Sequence, residues 1–286
     1  MSPGSSVTPC RLRLTGPPGS GVARLHRRWS RSGWVAPGSW ASEGDVGDAS
    51  KLADAWLAAE ACDLRVALDA DDLACLDRWH RWSGGGAPLT LAAGRAALRE
   101  RRIRLTPARL RAQLVLDTTA LHLATLERRV AAVARHLAAL PPERAPLLVA
   151  ESFAYARGAP GDADWCVDTR FLRNPYWEPS LRERSGRDPD VRAFVLQQPA
   201  AGLCLAAVTA ALTACRAEYA DRGRPVLRVA FGCTGGRHRS VAMATAAARS
   251  WRRRGWPVLV WHRDCDGDRS PQVGAHRLAA GTPIMI

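Results

Sequence analysis

Short apolar runs of strand length alternate along the chain with longer segments of helical pattern. A strand buried on both faces is a continuous apolar run, whereas a packed helix repeats its apolar residues every three or four positions. This alternation predicts an α/β fold with mainly parallel sheets. The strand-like runs are residues 11–15, 147–150, 226–230 and 258–261, and the helical patterns cover residues 121–137, 200–219 and 240–248.

Prolines divide the chain into two parts of similar size. With 286 residues, 47% of them hydrophobic, the chain can bury two modest cores. The proline-rich segment Leu140–Pro146 follows a helical pattern and precedes an apolar run, which is typical of a linker. We predict an N-terminal domain at 11–140 and a C-terminal domain at 145–268, with variable tails at 1–10 and 269–286.

The most informative segment is Phe231–Ser240, which joins a predicted strand to a predicted helix. The first turn of a helix has unpaired N–H groups and the positive end of the helix dipole, and both favour phosphate. Two glycines let the backbone approach an anion closely, and three basic side chains can add charge-assisted hydrogen bonds. The residues predicted to bind phosphate are Thr234, Gly235, Gly236, Arg237, His238, Arg239 and Ser240.

Two other interpretations of this segment stay open. Cys233, Arg239 and Ser240 have the spacing of a tyrosine-phosphatase signature, in which a cysteine thiolate attacks phosphorus and an arginine binds the equatorial oxygens. That chemistry needs an acid to protonate the leaving oxygen, and Asp168 is the candidate. Alternatively, Cys233 is a small buried residue and the glycines only turn the chain. We favour phosphate binding and assign no catalytic residue.

Several unusual strings precede this segment in order: Glu151-Ser152-Phe153-Ala154-Tyr155, Asp162-Ala163-Asp164, Val167–Leu172, Asn174–Pro179 and Leu181-Arg182. Together they resemble the C-terminal domain of the RapZ (RNase adapter) family of P-loop-containing nucleotide-binding proteins. The resemblance implies that this domain binds an amino-sugar phosphate or a nucleotide sugar, and in some members a small regulatory RNA. One departure is Tyr176, where the family usually has a histidine. The residues implied to recognise sugar hydroxyls or an amine are Asp162, Asp164, Asp168, Arg170 and Asn174.

The N-terminal region resembles the kinase-like P-loop domain of the same family, but its phosphate-binding loop is degenerate. Val22 and Ala23 stand where a working P-loop has a lysine that reaches the phosphates and a hydroxyl that holds magnesium. Lys51 is the only lysine in the chain, so no neighbouring lysine replaces the missing one. The backbone groups that remain for a nucleotide such as ATP or GTP belong to Gly16, Gly19, Ser20 and Gly21.

The same resemblance implies further elements of the N-terminal sheet. Residues 64–69 and 114–117 resemble two strands of the family. The family has another strand, carrying a metal-supporting aspartate, where this chain has residues 37–48, and that strand has no recognisable counterpart. Because lysine, hydroxyl and metal-supporting carboxylate are all missing, we expect no ATP or GTP hydrolysis and predict no metal site.

The formal charge of +14 is shared equally, with +7 on each side of residue 140. Such a surface attracts phosphate backbones, and its densest basic clusters lie at residues 99–111 and 252–254. An arginine-rich composition with one lysine also fits a bias in genomic base composition. We expect a phosphorylated sugar or nucleotide sugar as the ligand, RNA or a regulatory protein as a partner, and a homo-oligomer.

Other features point to a cytoplasmic protein without a membrane partner. No predicted segment is long enough to span a membrane, and no secretory signal is evident. The eight cysteines lack paired or metal-binding spacing, so most are expected to be reduced core thiols. The helical segment Ala200–Tyr219 is assigned to packing, within the domain or between subunits. Residues 262–266 follow a predicted strand and are expected to reach the phosphate site.

Overall fold

The computed structural model describes residues 12–31, 40–42, 64–82, 90–110, 112–119, 121–139 and 146–265. Within them the chain forms two parallel four-stranded sheets with helices between the strands, so the predicted α/β fold is confirmed. The predicted tails, most of the linker and Lys51 lie outside the described residues, and the domain limits stay predictions.

The first sheet is built from the N-terminal half, in the order β2-β1-β3-β4. Apolar residues of β1, β3 and β4 are buried on the sheet, as expected for strands covered by helices. The elements are β1 Leu12–Thr15, α1 Val22–Arg31, β2 Trp40–Ser42, β3 Leu64–Asp69, α2 Asp72–Trp82, α3 Leu91–Leu110, β4 Leu114–Asp117 and α4 Leu123–Ala139.

Strand β2 corrects one prediction. The segment around residues 37–48 was expected to lack a strand, yet Trp40–Ser42 pairs in parallel with β1, with Leu14 opposite Ala41. The strand has only three residues and no apolar run, so the sequence pattern does not reveal it. Backbone pairing with β1 defines it instead, because a strand edge offers free N–H and C=O groups to any neighbouring extended segment.

The second sheet is built from the C-terminal half, in the order β6-β7-β5-β8. Because all its strands are parallel, their carboxyl ends meet at one edge, where ligands bind in open α/β sheets. The elements are β5 Leu147–Ala154, a 3-10 turn Tyr155–Arg157, β6 Trp165–Asp168, a 3-10 turn Pro175–Trp177, α5 Pro189–Leu196, α6 Pro199–Asp221, β7 Val226–Cys233, α7 Arg239–Arg253 and β8 Val258–His262.

The two sheets share one hydrophobic core. Leu126 and Val130 of α4 are buried together with Leu147 of β5 and Trp261 of β8. A buried arginine of β7, Arg228, adds a polar link between the sheets. Its guanidinium pairs with Glu151 and Asp162 and donates to the carbonyl oxygen of Val115 in β4 at 3.1 Å. Asp162 in turn accepts a hydrogen bond from the amide of Asp117.

Helix α6 corrects the expectation that no segment is long enough to span a membrane. It has 23 residues, and its most apolar 18-residue window has a mean hydropathy of 1.6, with 17% of that window buried. By length and composition alone it could cross a membrane, which is weak evidence for a single helix. Ala201, Thr209 and Leu212 pack against the domain, whereas Leu203 is 73% exposed. Packing of its open face between subunits stays a prediction.

All cysteines in the described part of the chain are free. Cys75 and Cys233 are buried, as expected for core thiols, whereas Cys166 is exposed on the edge strand β6. Burial raises the pKa of Cys75 to about 12, so this thiol stays protonated at neutral pH.

Candidate functional site

The C-terminal loop, Cys233–His238, leaves the carboxyl end of the central strand β7 and enters α7 at Arg239. Gly236 has a positive φ of 67°, and a β-carbon there would lie 2.9 Å from Ala154 and 3.0 Å from the Asp264 β-carbon. A side chain at this position would therefore strain the backbone and overlap β5. Gly235 faces open space, so it permits access to the loop.

The backbone of the C-terminal loop offers several free hydrogen-bond donors. Among the described residues, no amide from Thr234 to His238 donates a hydrogen bond to another protein group. These N–H groups lie directly before the first turn of α7, where the helix dipole is positive. Consecutive unpaired amides at such a place favour an anion with several oxygens.

Arg239 is held under the C-terminal loop and is only 6% exposed. Its Nη1 donates to the carbonyl oxygens of Arg170 and Leu172, both at 3.0 Å, and its Nη2 donates to Thr234 Oγ1 at 3.3 Å. Its Nε is buried and has no hydrogen-bond partner among the described residues. A buried guanidinium without a carboxylate in hydrogen-bond contact leaves its charge available to an anion.

Asp168 and Arg170 lie at the rim of the loop, at the end of β6. Arg170 Nη2 is 2.7 Å from Asp168 Oδ2, and the Arg170 guanidinium also stacks 4.1 Å above the Tyr155 ring. Hydrogen bonds from Arg170 lower the pKa of Asp168 below its usual value. A carboxylate that stays ionised is poorly suited to protonate a leaving group, so this geometry does not favour Asp168 as a phosphatase acid.

Cys233 is buried at the base of the loop. Its Sγ lies 3.1 Å from Ser240 Oγ, the hydroxyl seven residues further along the chain. Thiol and hydroxyl are thus paired with each other beneath the unpaired amides. Among the described residues Ser240 is the hydrogen-bond partner of the Cys233 thiol, so the arrangement positions both groups.

His238 and Arg237 support the loop from the outside. His238 Nε2 lies 3.1 Å from the carbonyl oxygen of Arg182, and burial lowers the pKa of His238 below its usual value. Arg237 is exposed and donates to the carbonyl oxygen of Glu183. Gly186 is also required here, although no sequence motif singled it out, because a β-carbon at Gly186 would overlap the His238 carbonyl oxygen.

Two of the predicted sugar-recognising residues do not lie near the C-terminal loop. Asp162 and Asp164 precede β6, which runs parallel to β7, so they lie at the amino edge of the sheet, whereas the loop lies at its carboxyl edge. Both carboxylates bind arginines of β7 and its approach, Arg228 and Arg224. The expectation that they lie near the loop is wrong, because the apolar pattern did not predict strand β6 and so did not show that both residues precede a strand parallel to β7.

Asn174 initiates the 3-10 turn that follows the rim. Its Oδ1 accepts from the amide of Tyr176 at 3.4 Å, which caps the turn. Tyr176 is exposed, and the Arg182 guanidinium lies 5.1 Å above its ring. The carbonyl oxygen of Arg182 also contacts His238 Nε2. Arg182 therefore links this turn to the C-terminal loop.

The prediction that polar residues after β8 reach the loop is confirmed. Asp264 Oδ2 accepts from the amide of Ala154 at 2.6 Å, and its β-carbon closes the space beside Gly236. Arg263 and Arg157 neutralise this carboxylate, at 3.2 Å and 3.4 Å. The sequence pointed to these polar groups, but it gave no sign of the ion pairs that hold them.

The N-terminal loop, Gly16–Gly21, occupies the corresponding place between β1 and α1. Gly19 and Gly21 have positive φ values of 78° and 101°, and a β-carbon on Gly19 would overlap the carbonyl oxygen of Cys75. Ser20 is fully buried, and its Oγ has no hydrogen-bond partner among the described residues. A cavity of about 270 Å³ adjoins this loop, and the arginines that line it are Arg24, Arg27, Arg78 and Arg81.

These features define an α/β protein with two parallel sheets. In each sheet, one strand leads through a glycine-containing loop into a helix: β1 into α1 and β7 into α7. A sequence profile of the RapZ C-terminal domain matches residues 147–266. A nucleotide-binding protein of Stenotrophomonas maltophilia K279a is 39% identical over 228 residues, which cover 77% of this chain and 75% of that protein. The chain belongs to the RapZ family.

Two further relatives match over a smaller part of their length. A nucleotide-binding protein of Jannaschia sp. CCS1 is 42% identical over 178 residues, which cover 62% of this chain and 54% of that protein. A nucleotide-binding protein of Stenotrophomonas maltophilia R551-3 is 41% identical over 179 residues, which cover 62% of this chain and 59% of that protein. The match thus spans little more than half of these two relatives.

Proposed function

We propose that the C-terminal domain is a sensor that binds a phosphorylated sugar, either an amino-sugar phosphate or a nucleotide sugar. The observation that carries this proposal is the set of unpaired amides at Thr234–His238 above the buried, partly unpaired guanidinium of Arg239. An anion with three oxygens would satisfy these donors. Asp168, Arg170 and Asn174 at the rim would contact the sugar.

Thermal unfolding with a panel of ligands tests this proposal. A ligand that binds only the folded state raises the melting temperature by mass action. We expect a rise with glucosamine 6-phosphate, a smaller rise with glucose 6-phosphate and none with glucosamine. Arg239→Gln should abolish the rise, whereas Arg184→Gln, which changes an exposed arginine paired with Asp190, should preserve it. No rise with any phosphorylated sugar would contradict the sensor function.

The same preparation separates binding from catalysis. If the purified protein releases phosphate from an aryl phosphate, and Cys233→Ser abolishes that release, the domain is a cysteine phosphatase and not a sensor. The lowered pKa of Asp168 supports the expectation that no release occurs.

A nucleotide-binding N-terminal half is the second part of the proposal. The relatives carry the name nucleotide-binding protein. In this chain the cavity beside Gly19–Gly21 supports the same role, with ATP or GTP as the ligand. Hydrolysis is not expected, because Val22 and Ala23 supply neither the amine nor the hydroxyl that phosphoryl transfer requires.

We also propose that the ligand state is passed to an RNA or protein partner. The net charge of +14 supports attraction to a phosphate backbone. If the protein binds RNA without any small ligand, Arg237→Ala with Arg239→Ala should weaken RNA binding while no sugar phosphate changes the melting temperature. That result would replace the sensor with a simple adapter.

A further inference from the structure

The family resemblance implies a magnesium ion beside the N-terminal loop, and the residues present do not fit one. Val22, at the lysine position, is fully buried in the hydrophobic core, and Ala23 has no hydroxyl. The carboxylate at the end of β3, Asp69, is already occupied. Its Oδ1 accepts from Arg102 Nε at 3.1 Å, and its Oδ2 accepts from Arg109 Nη1 at 2.9 Å.

The neighbouring carboxylates do not provide a metal site either. Asp72 is paired with Arg102, and Asp117 Oδ1 accepts from the amide of Thr119 at 2.9 Å. Within the part of the chain that the structure describes, no group of three or more His, Cys, Asp or Glu side chains could hold a metal ion. Magnesium prefers several oxygen ligands in octahedral geometry, and here an incoming ion would have to displace arginine side chains.

The cavity beside the N-terminal loop has the opposite charge from a metal site. Four arginines line the cavity of about 270 Å³, and no carboxylate is among the described residues of its lining. The N-terminus of α1 adds its positive dipole end, and the buried Ser20 Oγ adds a hydroxyl that has no hydrogen-bond partner within the described part of the chain. Leu121, Leu123 and Leu126 form an apolar wall opposite these groups. The arginines could bind the phosphate groups of a ligand, and the leucines could pack against a flat, apolar ring system of the same ligand.

Arg78 shows how this charge is held in place. Its guanidinium donates to the carbonyl oxygens of Gly19 at 3.3 Å, Thr118 at 2.8 Å and Thr119 at 3.0 Å. No carboxylate accepts a hydrogen bond from it among the described residues. Burial lowers the pKa of Arg78, and a bound anion would compensate that cost. Arg78 therefore fixes the loop against the end of β4, and its hydrogen bonds to carbonyl oxygens leave it without a directly bonded carboxylate among the described residues, although Asp71 and Asp117 lie near enough to interact with its charge.

Arg27 is one of the exposed cations of this cavity. It is exposed on α1 and makes no hydrogen bond or ion pair with another described residue. Arg81, by comparison, is paired with Asp77. A cavity of about 270 Å³ lies just below the range of roughly 300–1,000 Å³ of small-molecule sites, so part of a ligand would project into solvent towards Arg27.

We infer that the N-terminal loop binds a nucleoside phosphate without magnesium, with arginine side chains in place of the lysine and metal of a P-loop. The inference rests on the nucleotide-binding part of the proposed function and specifies how the charge is neutralised. Because magnesium shields the phosphates that the arginines contact, the metal should weaken binding or leave it unchanged.

Calorimetric titration of the full chain with ADP and ATP, once in EDTA and once in excess MgCl₂, tests this inference. We expect binding in EDTA and an equal or lower affinity with magnesium. Binding that appears only with magnesium, or becomes about tenfold tighter with it, overturns this inference alone. Binding in neither buffer overturns it together with the nucleotide-binding proposal.

Substitutions of single arginines show at which of the two loops the nucleotide binds. Arg27→Gln should weaken binding by about tenfold, because it removes a charge-assisted hydrogen bond. Arg28→Gln is the matched control: Arg28 is the next residue of the same helix, is paired with Glu127 at 2.6 Å and does not line the cavity. If Arg239→Gln abolishes nucleotide binding while Arg27→Gln leaves it intact, the nucleotide binds at the C-terminal loop and the inference is wrong.

Discussion

The N-terminal and C-terminal loops start from the same topology and differ in where their positive charge resides. Each follows a parallel strand and precedes a helix, and each needs glycine at a position with positive φ. In the C-terminal loop the charge is Arg239, buried beneath the backbone amides. In the N-terminal loop the charges are arginines spread around an open cavity. If the proposed ligands bind, we expect the buried guanidinium to select one small anion and the arginines around the cavity to accommodate a larger one.

The two loops also differ in the hydrogen bonds that hold their backbones in place. The C-terminal loop is supported on several sides, by Asp264, by the rim segment that accepts from Arg239, and by the contact of His238 with Arg182. The N-terminal loop relies largely on Arg78 and on the Thr118 hydroxyl, which donates to the Ser20 carbonyl oxygen at 2.8 Å. Counting only contacts between described residues, the C-terminal loop has the larger number of supports, as expected for a preorganised site.

The largest expected effect comes from breaking the polar link between the two halves. Arg228→Met leaves Glu151 and Asp162 buried with one fewer cation, which should cost about 3–5 kcal/mol in the free energy of unfolding, measured with urea. The control Arg224→Met removes a half-exposed guanidinium from the largely buried Asp164, which keeps its hydrogen bond from the Arg228 amide at 2.8 Å, so it should cost less, about 1–2 kcal/mol. Equal effects would mean that the link does not join the halves energetically.

Low pH should reduce the stability of the C-terminal half because of His262. Burial lowers the pKa of His262 to about 4, from 6.5. As the pH falls below 6.5 the unfolded chain takes up a proton that the folded chain takes up only near pH 4. The neutral His262 side chain therefore makes its full contribution to the free energy of unfolding above pH 6.5. As the pH falls from 6.5 to about 4, this contribution is lost, by about 3 kcal/mol in total.

Urea unfolding at a series of pH values measures this loss. His262→Gln should flatten the dependence, whereas His122→Gln, at an exposed position in the N-terminal half, should leave it unchanged. The lowered pKa of His238 acts in the same direction, so some dependence should persist. An unaltered slope in His262→Gln would show that His262 does not titrate in this range.

The smallest expected effects on the free energy of unfolding are those of glycine-to-alanine substitutions in the two loops. They should differ between glycines with positive φ and the glycine that faces open space. Gly236→Ala should cost about 1–3 kcal/mol because of its positive φ and its contact with Ala154. Gly235→Ala, which faces open space, should change the free energy of unfolding by at most about 0.5 kcal/mol. Gly19→Ala in the N-terminal loop should resemble Gly236→Ala, because its β-carbon would overlap the Cys75 carbonyl oxygen. A neutral Gly236→Ala would contradict the tight fit beside β5.

The sequence predicted those elements whose apolar pattern is strong. Strands such as β7 and helices such as α7 lie where the pattern placed them, because continuous burial leaves continuous apolar runs. Strand β2 was missed, since its three residues carry no such pattern. Asp162 and Asp164 were assigned to the wrong edge of the sheet, because β6, the parallel strand that follows them, was not predicted.

By itself, the sequence determined the α/β class, the family and the position of both loops, because glycine spacing and apolar runs are local properties of the chain. Only the tertiary structure decided which charges act there. It buried Arg239 beneath the amides, occupied Asp69 with two arginines and gathered Arg24, Arg27, Arg78 and Arg81 around one cavity. These groups come from distant parts of the chain, and hydrogen bonding and burial in the folded state set their roles.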